Sequence, residues 1–218
     1  MIDEGYVKYQ GHWVQTPALP QSQVRDLTHY RHALWQLGLI GQYPNGIGFG
    51  NVSQRLSQSA STFIISGTQT GHLPTLDAAH YATVTAFDIE RNQLTCKGPI
   101  RASSEALTHA VIYQTVPETQ AIFHIHHDGL WKTLMHQVPT TAATVPYGTP
   151  EMAREMIRLL PRGLGASSKI LVMAGHPEGL ITFGNSQSEA YATLKHYYQA
   201  WKAQQDWHTP EGNCQRVG

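Results

Sequence analysis

A buried strand is predicted near the middle of the chain by the stretch Ala121-Ile122-Phe123-His124-Ile125-His126. Its first three residues are apolar, and the strand is expected to cover residues 119–126. Side chains at positions i and i+2 of a strand lie on the same face, with Cα atoms about 6.6 Å apart. His124 and His126 therefore share a face, and two imidazoles placed in this way can converge on one metal ion.

The sequence on either side of this strand predicts further short strands and helices. Helices are expected after Pro20, from Ser103 or Ser104 to Gln114, over residues 150–160, and from a capping box at residues 186–189 to about Gln204. Strands are expected over residues 52–56, 62–65, 81–89, 93–96, 170–174 and 179–183. Because several neighbouring strands are joined by tight hairpins, we expect a three-layer α/β/α fold. Its central sheet would be mixed or mostly antiparallel, with helices on both faces.

The composition is that of one ordinary domain. The chain has 218 residues, of which 41% are hydrophobic and 14% charged, and this excludes disorder driven by charge repulsion. The formal net charge is zero, so nothing favours binding to nucleic acid or to an anionic membrane. Two cysteines, Cys96 and Cys214, are too few for a disulfide framework. We therefore expect a soluble cytoplasmic protein. Along the chain we expect an N-terminal extension (1–20), one domain (21–205) and a loose C-terminal tail (206–218).

The third ligand of a metal site has to come from elsewhere in the sequence. His176 is the best candidate, because it stands in the turn Gly175-His176-Pro177-Glu178-Gly179 directly after a predicted strand. Three neutral imidazoles leave the fourth tetrahedral position of a zinc ion open, which is typical of catalytic rather than structural zinc sites.

Two other interpretations of these histidines are open at this point. A His-x-His pair can arise by chance in a chain that contains 13 histidines. The run His124-Ile125-His126-His127-Asp128-Gly129 also resembles the His-x-His-x-Asp-His signature of metallo-β-lactamase-type hydrolases, although Gly129 replaces the final histidine. That replacement favours the three-histidine site over the hydrolase site.

A second group of polar residues could bind an anion. Ser103-Ser104-Glu105 stands at a predicted helix start, where unpaired backbone N–H groups and the helix dipole favour negative charge. Glycines in Gly50-Asn51 and Ser66-Gly67-Thr68 would let the backbone approach a ligand closely. Ordinary helix capping and turn formation explain the same residues without a function. The glycine spacing also differs from the dinucleotide-binding and ATP-binding patterns.

Taken in order along the chain, these segments resemble the class II aldolase/adducin family. The resemblance spans about residues 27–201. Each motif is weak alone, whereas five motifs in the correct order make a strong match. The matching segments are Gly50-Asn51-Val52-Ser53, Ile65-Ser66-Gly67-Thr68, Ser103-Ser104-Glu105 with His109, His124-Ile125-His126, and His176.

The resemblance implies a fold, a site and an assembly. The family fold is a mostly antiparallel sheet covered by helices, usually in a homotetramer. Glu105 would be the acid/base. Family aldolases often carry a tyrosine that donates a proton, and Tyr147 does not clearly correspond to that tyrosine. The ligands of Zn²⁺ or another divalent metal would be His124, His126 and His176, and a substrate phosphate would be held by Asn51, Ser66, Gly67, Ser103 and Ser104.

The reaction implied by the resemblance is catalysed by a metal-dependent lyase. A small phosphorylated sugar would undergo aldol cleavage through a zinc-stabilised enediolate. One alternative is a metal-dependent dehydratase or epimerase that acts on a similar sugar phosphate. A second alternative is a non-catalytic adducin-like domain that acts by protein contact.

Overall fold

The computed structural model describes residues 7–57, 61–160 and 168–208, with side chains up to residue 205. Ten strands occur within these ranges, and the second and third of them form a small hairpin of their own. The strands are β1 (Gln10–Gln15), β2 (Gly41–Gln42), β3 (Gly48–Phe49), β4 (Asn51–Arg55), β5 (Phe63–Ser66), β6 (Tyr81–Asp88), β7 (Gln93–Gly98), β8 (Ala121–His126), β9 (Ile170–Val172) and β10 (Gly179–Gly184).

The other eight strands form one sheet in the order β1-β7-β6-β5-β4-β8-β10-β9. Neighbouring strands are antiparallel except for β1 and β7, which run parallel. The prediction of a mixed, mostly antiparallel sheet is thereby confirmed. The histidine-bearing strand β8 lies inside the sheet, with β4 on one side and β10 on the other.

Five α-helices accompany the sheet in the part of the chain that the structure describes. None of them combines the length and the apolar character that a membrane crossing requires. The helices are α1 (Gln21–Gln36), α2 (Ala106–Thr115), α3 (Asp128–Leu134), α4 (Pro150–Leu159) and α5 (Gln187–His208).

Strand β8 shows how the layers are built. All of its residues are buried, and successive side chains alternate between the two faces of the sheet. Ile122 belongs to the apolar cluster that contains the buried residues of α2 and α4. Phe123 and Ile125 belong to the cluster on the opposite face, together with α1, α3 and α5. The predicted three-layer arrangement is confirmed, and His124 and His126 lie on the face that α2 and α4 cover.

Helix α2 begins later than the sequence predicts. Its N-cap is Glu105, whose side chain makes no capping hydrogen bond, so neither Ser103 nor Ser104 is the cap. The Ser103 hydroxyl instead accepts a hydrogen bond from the Glu105 N–H at 3.3 Å, and the Ser103 carbonyl accepts one from the Ala106 N–H at 3.1 Å. A serine turn thus precedes the helix, and the Glu105 carboxylate accepts a hydrogen bond from the Thr108 hydroxyl of α2 at 3.1 Å.

The predicted capping box of α5 forms in a shifted version. The Ser186 hydroxyl accepts a hydrogen bond from the Glu189 N–H at 3.1 Å, as such a box requires. The Glu189 carboxylate accepts from the Asn185 N–H, one residue earlier than the usual donor. Helix α5 runs on to His208, beyond its predicted end, and residues 209–218 lie outside the described residues.

Three elements have no counterpart in the sequence predictions: β1, the β2–β3 hairpin and α3. Strand β1 lies within residues 1–20 and forms one edge of the sheet, where Gln10 lies opposite Gln93. Its side chains are mostly exposed, and therefore they carry no apolar alternation. The other two elements are too short to develop a recognisable period.

A buried arginine of helix α1 forms hydrogen bonds to the loop of residues 70–74. Arg31 is 1% exposed, and burial lowers its pKa from 12.5 to about 10, so the guanidinium stays charged at neutral pH. The loop in turn packs so closely on the β2–β3 hairpin that a Cβ on Gly71 would lie 2.0 Å from the Gly41 carbonyl oxygen. The guanidinium donates hydrogen bonds to the carbonyl oxygens of Thr70, Gly71, Leu73 and Pro74.

Replacement of Arg31 by lysine should destabilise the protein by about 2–4 kcal/mol, because one ammonium group cannot serve four buried carbonyl groups. Urea unfolding of the metal-free protein measures this change. Arg25→Lys is the matched control, since the Arg25 side chain is 76% exposed. Its effect should stay below about 0.5 kcal/mol. An equally small effect of Arg31→Lys would contradict the role of Arg31 in holding the loop.

Candidate metal centre

Three histidine side chains meet on the face of the sheet that α2 and α4 cover. His124, His126 and His176 are 0%, 3% and 1% exposed. Their ring centroids are 4.8 to 5.0 Å apart. One potential ligand nitrogen from each ring lies within 4.8 Å of the other two, and no second group of this kind occurs among the described residues.

Strand pairing brings His176 to the pair on β8. In the β8–β10 ladder His126 lies opposite Gly179, and His176 stands in the tight turn between β9 and β10. Within that turn the His176 N–H donates to the Met173 carbonyl at 3.0 Å, and the His176 carbonyl accepts from the Gly179 N–H at 2.9 Å. A Cβ on Gly179 would lie 3.2 Å from the His176 ring, so the turn leaves little room for a larger residue there.

Burial keeps the two histidines of β8 neutral. Removal from water lowers the pKa of His124 well below 6.5, and the nearby His126 and His176 lower it further. Burial, and then the proximity of His176, also lowers the pKa of His126 well below that value. A neutral imidazole offers a lone pair to a metal ion, whereas an imidazolium does not. At neutral pH both rings are therefore in the form that binds a divalent ion.

The donor set fits a divalent metal ion. Nε2 of His124 is buried and has no hydrogen-bond partner among the described residues. A buried nitrogen without a partner costs free energy, and metal coordination would remove that cost. Three imidazoles with one open position suit zinc in particular.

Two hydrogen-bonding residues support the outer nitrogens of the β8 histidines. The Tyr43 hydroxyl lies 3.0 Å from Nδ1 of His126. The Asn51 amide nitrogen lies 3.4 Å from Nδ1 of His124, because the two residues are opposite each other in the β4–β8 ladder. A half-turn of the Asn51 amide would let its Oδ1 accept a hydrogen bond from the Nδ1–H of His124. Contacts of this kind fix the tautomer and orientation of metal-binding histidines.

Glu105 lies beside the histidine cluster. Its side chain is 2% exposed, and its Oε2 is 4.0 Å from Nδ1 of His124. The same oxygen accepts a hydrogen bond from the Thr108 hydroxyl at 3.1 Å. Glutamate is rarely buried to this degree unless it has a partner. A carboxylate at this position could exchange a proton with a molecule bound at the cluster.

The residues predicted to bind a phosphate form one continuous patch that begins at the cluster. Asn51 contacts His124, and the next backbone N–H, that of Val52, donates to the Ser66 hydroxyl at 3.2 Å. Ser103 then donates its N–H to the Ser66 carbonyl at 3.2 Å. Ser104 links Ser103 to Glu105 along the chain. Gly67 directly follows Ser66 and bridges to Ala102, the residue before Ser103, so the structure brings together all five residues named for this role.

Part of the backbone in this patch is already hydrogen-bonded within the protein. The sequence predicts unpaired backbone N–H groups at the helix start. Three N–H groups there, those of Ser103, Glu105 and Ala106, have acceptors within the protein and are not available to an anion. The Gly67 N–H likewise donates to the His80 carbonyl. Gly67 matters for space instead, because a Cβ there would lie 2.6 Å from the Ile100 side chain.

Tyr147 packs against the cluster, a contact that sequence inspection misses. Its ring is 5% exposed and stacks on His176, with centroids 4.4 Å apart and planes inclined by 20°. The Lys8 ammonium lies 3.8 Å from the centroid of the Tyr147 ring. No periodic pattern links positions 8 and 147 to the histidines, so only the folded chain reveals that both lie here.

The hydrolase interpretation of the histidine run is wrong. His127 lies on the opposite face from the cluster, where its Nδ1 accepts a hydrogen bond from the Leu130 N–H at 3.1 Å and caps α3. Its ring packs on Trp201, with centroids 4.4 Å apart. Asp128 forms an exposed ion pair with Lys132 at 2.7 Å. Neither residue can join a metal site with His124 and His126.

The family described as Class II Aldolase and Adducin N-terminal domain matches residues 26–204 of this sequence. The chain belongs to this family. The match extends from α1 to α5 and includes the three histidines, which confirms the resemblance drawn from the sequence motifs. No curated protein matches the chain by sequence.

Solved structures agree with the class II aldolase fold. YgbL from Klebsiella pneumoniae, for which aldolase, epimerase or decarboxylase activity is suggested, is 18% identical with a TM-score of 0.61, over 88% of this chain and 93% of YgbL. L-fuculose-1-phosphate aldolase from Thermus thermophilus is 18% identical with a TM-score of 0.56, over 88% and 98%. A sugar-phosphate aldolase from Thermotoga maritima is 16% identical with a TM-score of 0.63, over 85% and 94%. At these identities the likeness establishes the fold.

Another buried histidine of this class II aldolase domain lies on α2, one turn after Glu105. His109 is fully buried, and its Nδ1 is 2.7 Å from the Ser53 hydroxyl, which also bonds the Tyr113 hydroxyl at 2.8 Å. Burial lowers the pKa of His109 to about 3. Over a range of acidic pH the His109 ring is therefore neutral in the native state, whereas it is protonated in the unfolded state.

Acidification should consequently weaken the fold through His109. Below pH 6.5 the unfolded state binds a proton that the native state does not, so stability falls by about 1.4 kcal/mol per pH unit as pH drops toward 3. Between pH 7 and pH 5, metal-free His109→Asn should lose about 2 kcal/mol less than the wild type. Urea unfolding at the two pH values measures both losses. Equal losses in the two proteins would contradict the prediction.

Proposed function

We propose that this protein is a metal-dependent lyase that cleaves a small phosphorylated sugar by an aldol reaction. The observation that carries the proposal is the meeting of three buried histidines with a buried carboxylate, where Oε2 of Glu105 is 4.0 Å from Nδ1 of His124. Metal-dependent aldol cleavage uses a Lewis acid and a proton-transferring group, and this site would supply both. Membership of the class II aldolase/adducin family and the fold shared with sugar-phosphate aldolases support the same reaction.

His124, His126 and His176 would hold Zn²⁺ or another divalent metal ion. When bound, such an ion polarises neighbouring oxygen atoms of a sugar and stabilises the negative charge that develops as a C–C bond breaks. The chain's own contribution is to keep the imidazoles neutral and fixed. Burial lowers the pKa of the β8 histidines, and Tyr43 and Asn51 contact their outer nitrogens.

Glu105 would transfer the proton at the reacting carbon. The Thr108 hydroxyl occupies one lone pair of Oε2 and so restrains the carboxylate without neutralising it. Burial excludes water, which would otherwise compete for the proton. General acid–base catalysis by a group held in this way contributes roughly 10²–10⁴-fold to the rate.

Asn51, Ser66, Gly67, Ser103 and Ser104 would hold the phosphate group of the substrate. They form one patch that starts at His124, so a phosphate there could belong to the same molecule as the oxygens at the metal. We also propose a homo-oligomer, a tetramer by resemblance to the family. Zero net charge offers little repulsion between copies, and light scattering would measure the assembly directly.

A panel of phosphorylated sugars would test the proposed reaction. We expect one ketose phosphate to release an aldehyde, and dihydroxyacetone phosphate with that aldehyde to condense in reverse. Chelation should abolish turnover and Zn²⁺ should restore it. Interconversion of sugar phosphates without C–C cleavage would indicate an epimerase instead. A wild-type protein with neither turnover nor bound metal would support the adducin-like alternative and overturn the lyase.

Glu105→Gln should lower kcat by about two orders of magnitude or more, because it keeps the shape of the side chain and removes the proton-transferring carboxylate. Metal content and melting temperature should stay close to those of the wild type. Glu118→Gln is the matched control, since Glu118 is exposed. If Glu105→Gln retained nearly full turnover, Glu105 would only support the start of α2 and its catalytic role would be rejected.

A further inference from the structure

A tyrosine and a glutamate outside the proposed metal ligands form a hydrogen-bonded chain to one of those ligands. Tyr43 lies between β2 and β3, and Glu178 lies in the turn between β9 and β10. The Tyr43 hydroxyl donates to Oε2 of Glu178 at 2.7 Å and lies 3.0 Å from Nδ1 of His126. We propose that Tyr43 and Glu178 are positioning residues that set the affinity of the metal centre through His126. This inference rests on the proposed metal-dependent function.

The direction of the hydrogen bonds determines which tautomer His126 adopts. The Tyr43 hydroxyl can donate one hydrogen bond. It donates this bond to Glu178, because an ionised carboxylate only accepts hydrogen bonds. The tyrosine oxygen then acts as the acceptor toward His126. The single N–H proton of the neutral imidazole is thereby held on Nδ1, and the ring's lone pair lies on Nε2. A carboxylate at the end of such a chain also makes the ring a stronger ligand.

Aromatic packing holds the tyrosine in this position. The Phe49 ring lies 4.6 Å from the Tyr43 ring and 5.4 Å from the His126 ring, measured between centroids. Tyr43 also approaches His126 edge-on, at 6.2 Å and 76°. The β2–β3 hairpin carries both aromatic residues, and their packing against His126 therefore orients the imidazole ring.

The backbone of Glu178 gives independent support to a role for its side chain. Its φ is +66°, in the left-handed region that glycine adopts without strain and that a glutamate enters at a cost. Its carbonyl accepts a hydrogen bond from the His127 N–H at 2.9 Å, which ties the turn to the end of β8. Glycine would satisfy the backbone at this position equally well. The hydrogen bond that the Glu178 carboxylate accepts from Tyr43 explains why a glutamate occupies this strained position.

Measurement of metal affinity tests the proposal independently of turnover. Metal-stripped wild type, Tyr43→Phe, Glu178→Gly and Glu178→Gln would be titrated with Zn²⁺ against a chromophoric chelator. Tyr43→Phe and Glu178→Gly should each weaken zinc binding by about 10-fold or more. Glu178→Gln should lose less, because its amide oxygen can still accept a hydrogen bond from the Tyr43 hydroxyl. The visible spectrum of the Co²⁺-loaded protein should change in the two weaker binders, since it reports ligand geometry at the ion.

The stability of the metal-free variants separates positioning from a general role in folding. Glycine fits the φ of +66°, so metal-free Glu178→Gly should melt no lower than the wild type although it binds zinc more weakly. Tyr30→Phe is the matched control, because Tyr30 packs on Phe123 on the opposite face of the sheet. It should leave zinc affinity unchanged.

Two results would overturn the proposal while leaving the metal centre intact. One is zinc binding by Tyr43→Phe and Glu178→Gly within about 2-fold of the wild type. The other is an affinity loss that simply follows a lower melting temperature of the metal-free variants. A wild type that binds no divalent metal would reject the metal centre itself, and the positioning role with it.

Discussion

The pairing of strand β8 between β4 and β10 is the constraint on which the candidate site depends. A central strand has both faces covered, so every second side chain of β8 must face the α2–α4 layer. The register of the two ladders then decides the neighbours of each histidine. Asn51 lies opposite His124, and Gly179 lies opposite His126 at the start of β10. A slip of one residue in either ladder would turn the histidine pair to the other face and separate it from His176.

The burial that stabilises this fold also prepares its chemistry. Apolar layers on both faces of the sheet exclude water from the cluster, and exclusion of water disfavours the charged form of a histidine. The pKa values of His124 and His126 fall for this reason, and both rings remain able to act as ligands. The same surroundings make a carboxylate such as Glu105 costly to bury. A site of this composition is costly for a metal-free protein, and a bound cation would offset much of that cost.

The support for the cluster comes from parts of the chain that carry no metal ligand. Arg31 holds the loop that packs on the β2–β3 hairpin, and that hairpin presents Tyr43 and Phe49 to His126. On the other side Tyr147 stacks on His176. These contacts are made by side chains, loops and turns, whereas the ligands belong to one strand and one turn. Ligand geometry is therefore a property of the whole domain.

The sequence by itself determined most of the strands and helices, though not β1, the β2–β3 hairpin or α3, and it named the metal-site candidates. The i, i+2 spacing of His124 and His126 needs only a strand to place both on one face, and strand, helix and hairpin signals depend on neighbours along the chain. The sequence could not determine which contacts form across the sheet, because hydrogen-bond partners such as Tyr43 and Glu178 are distant in sequence and no period connects them. It also could not determine that the N–H groups of Ser103, Glu105 and Ala106 already have acceptors within the protein. Those outcomes were decided by tertiary structure, since strand register and packing between layers choose among partners that local preferences leave equivalent.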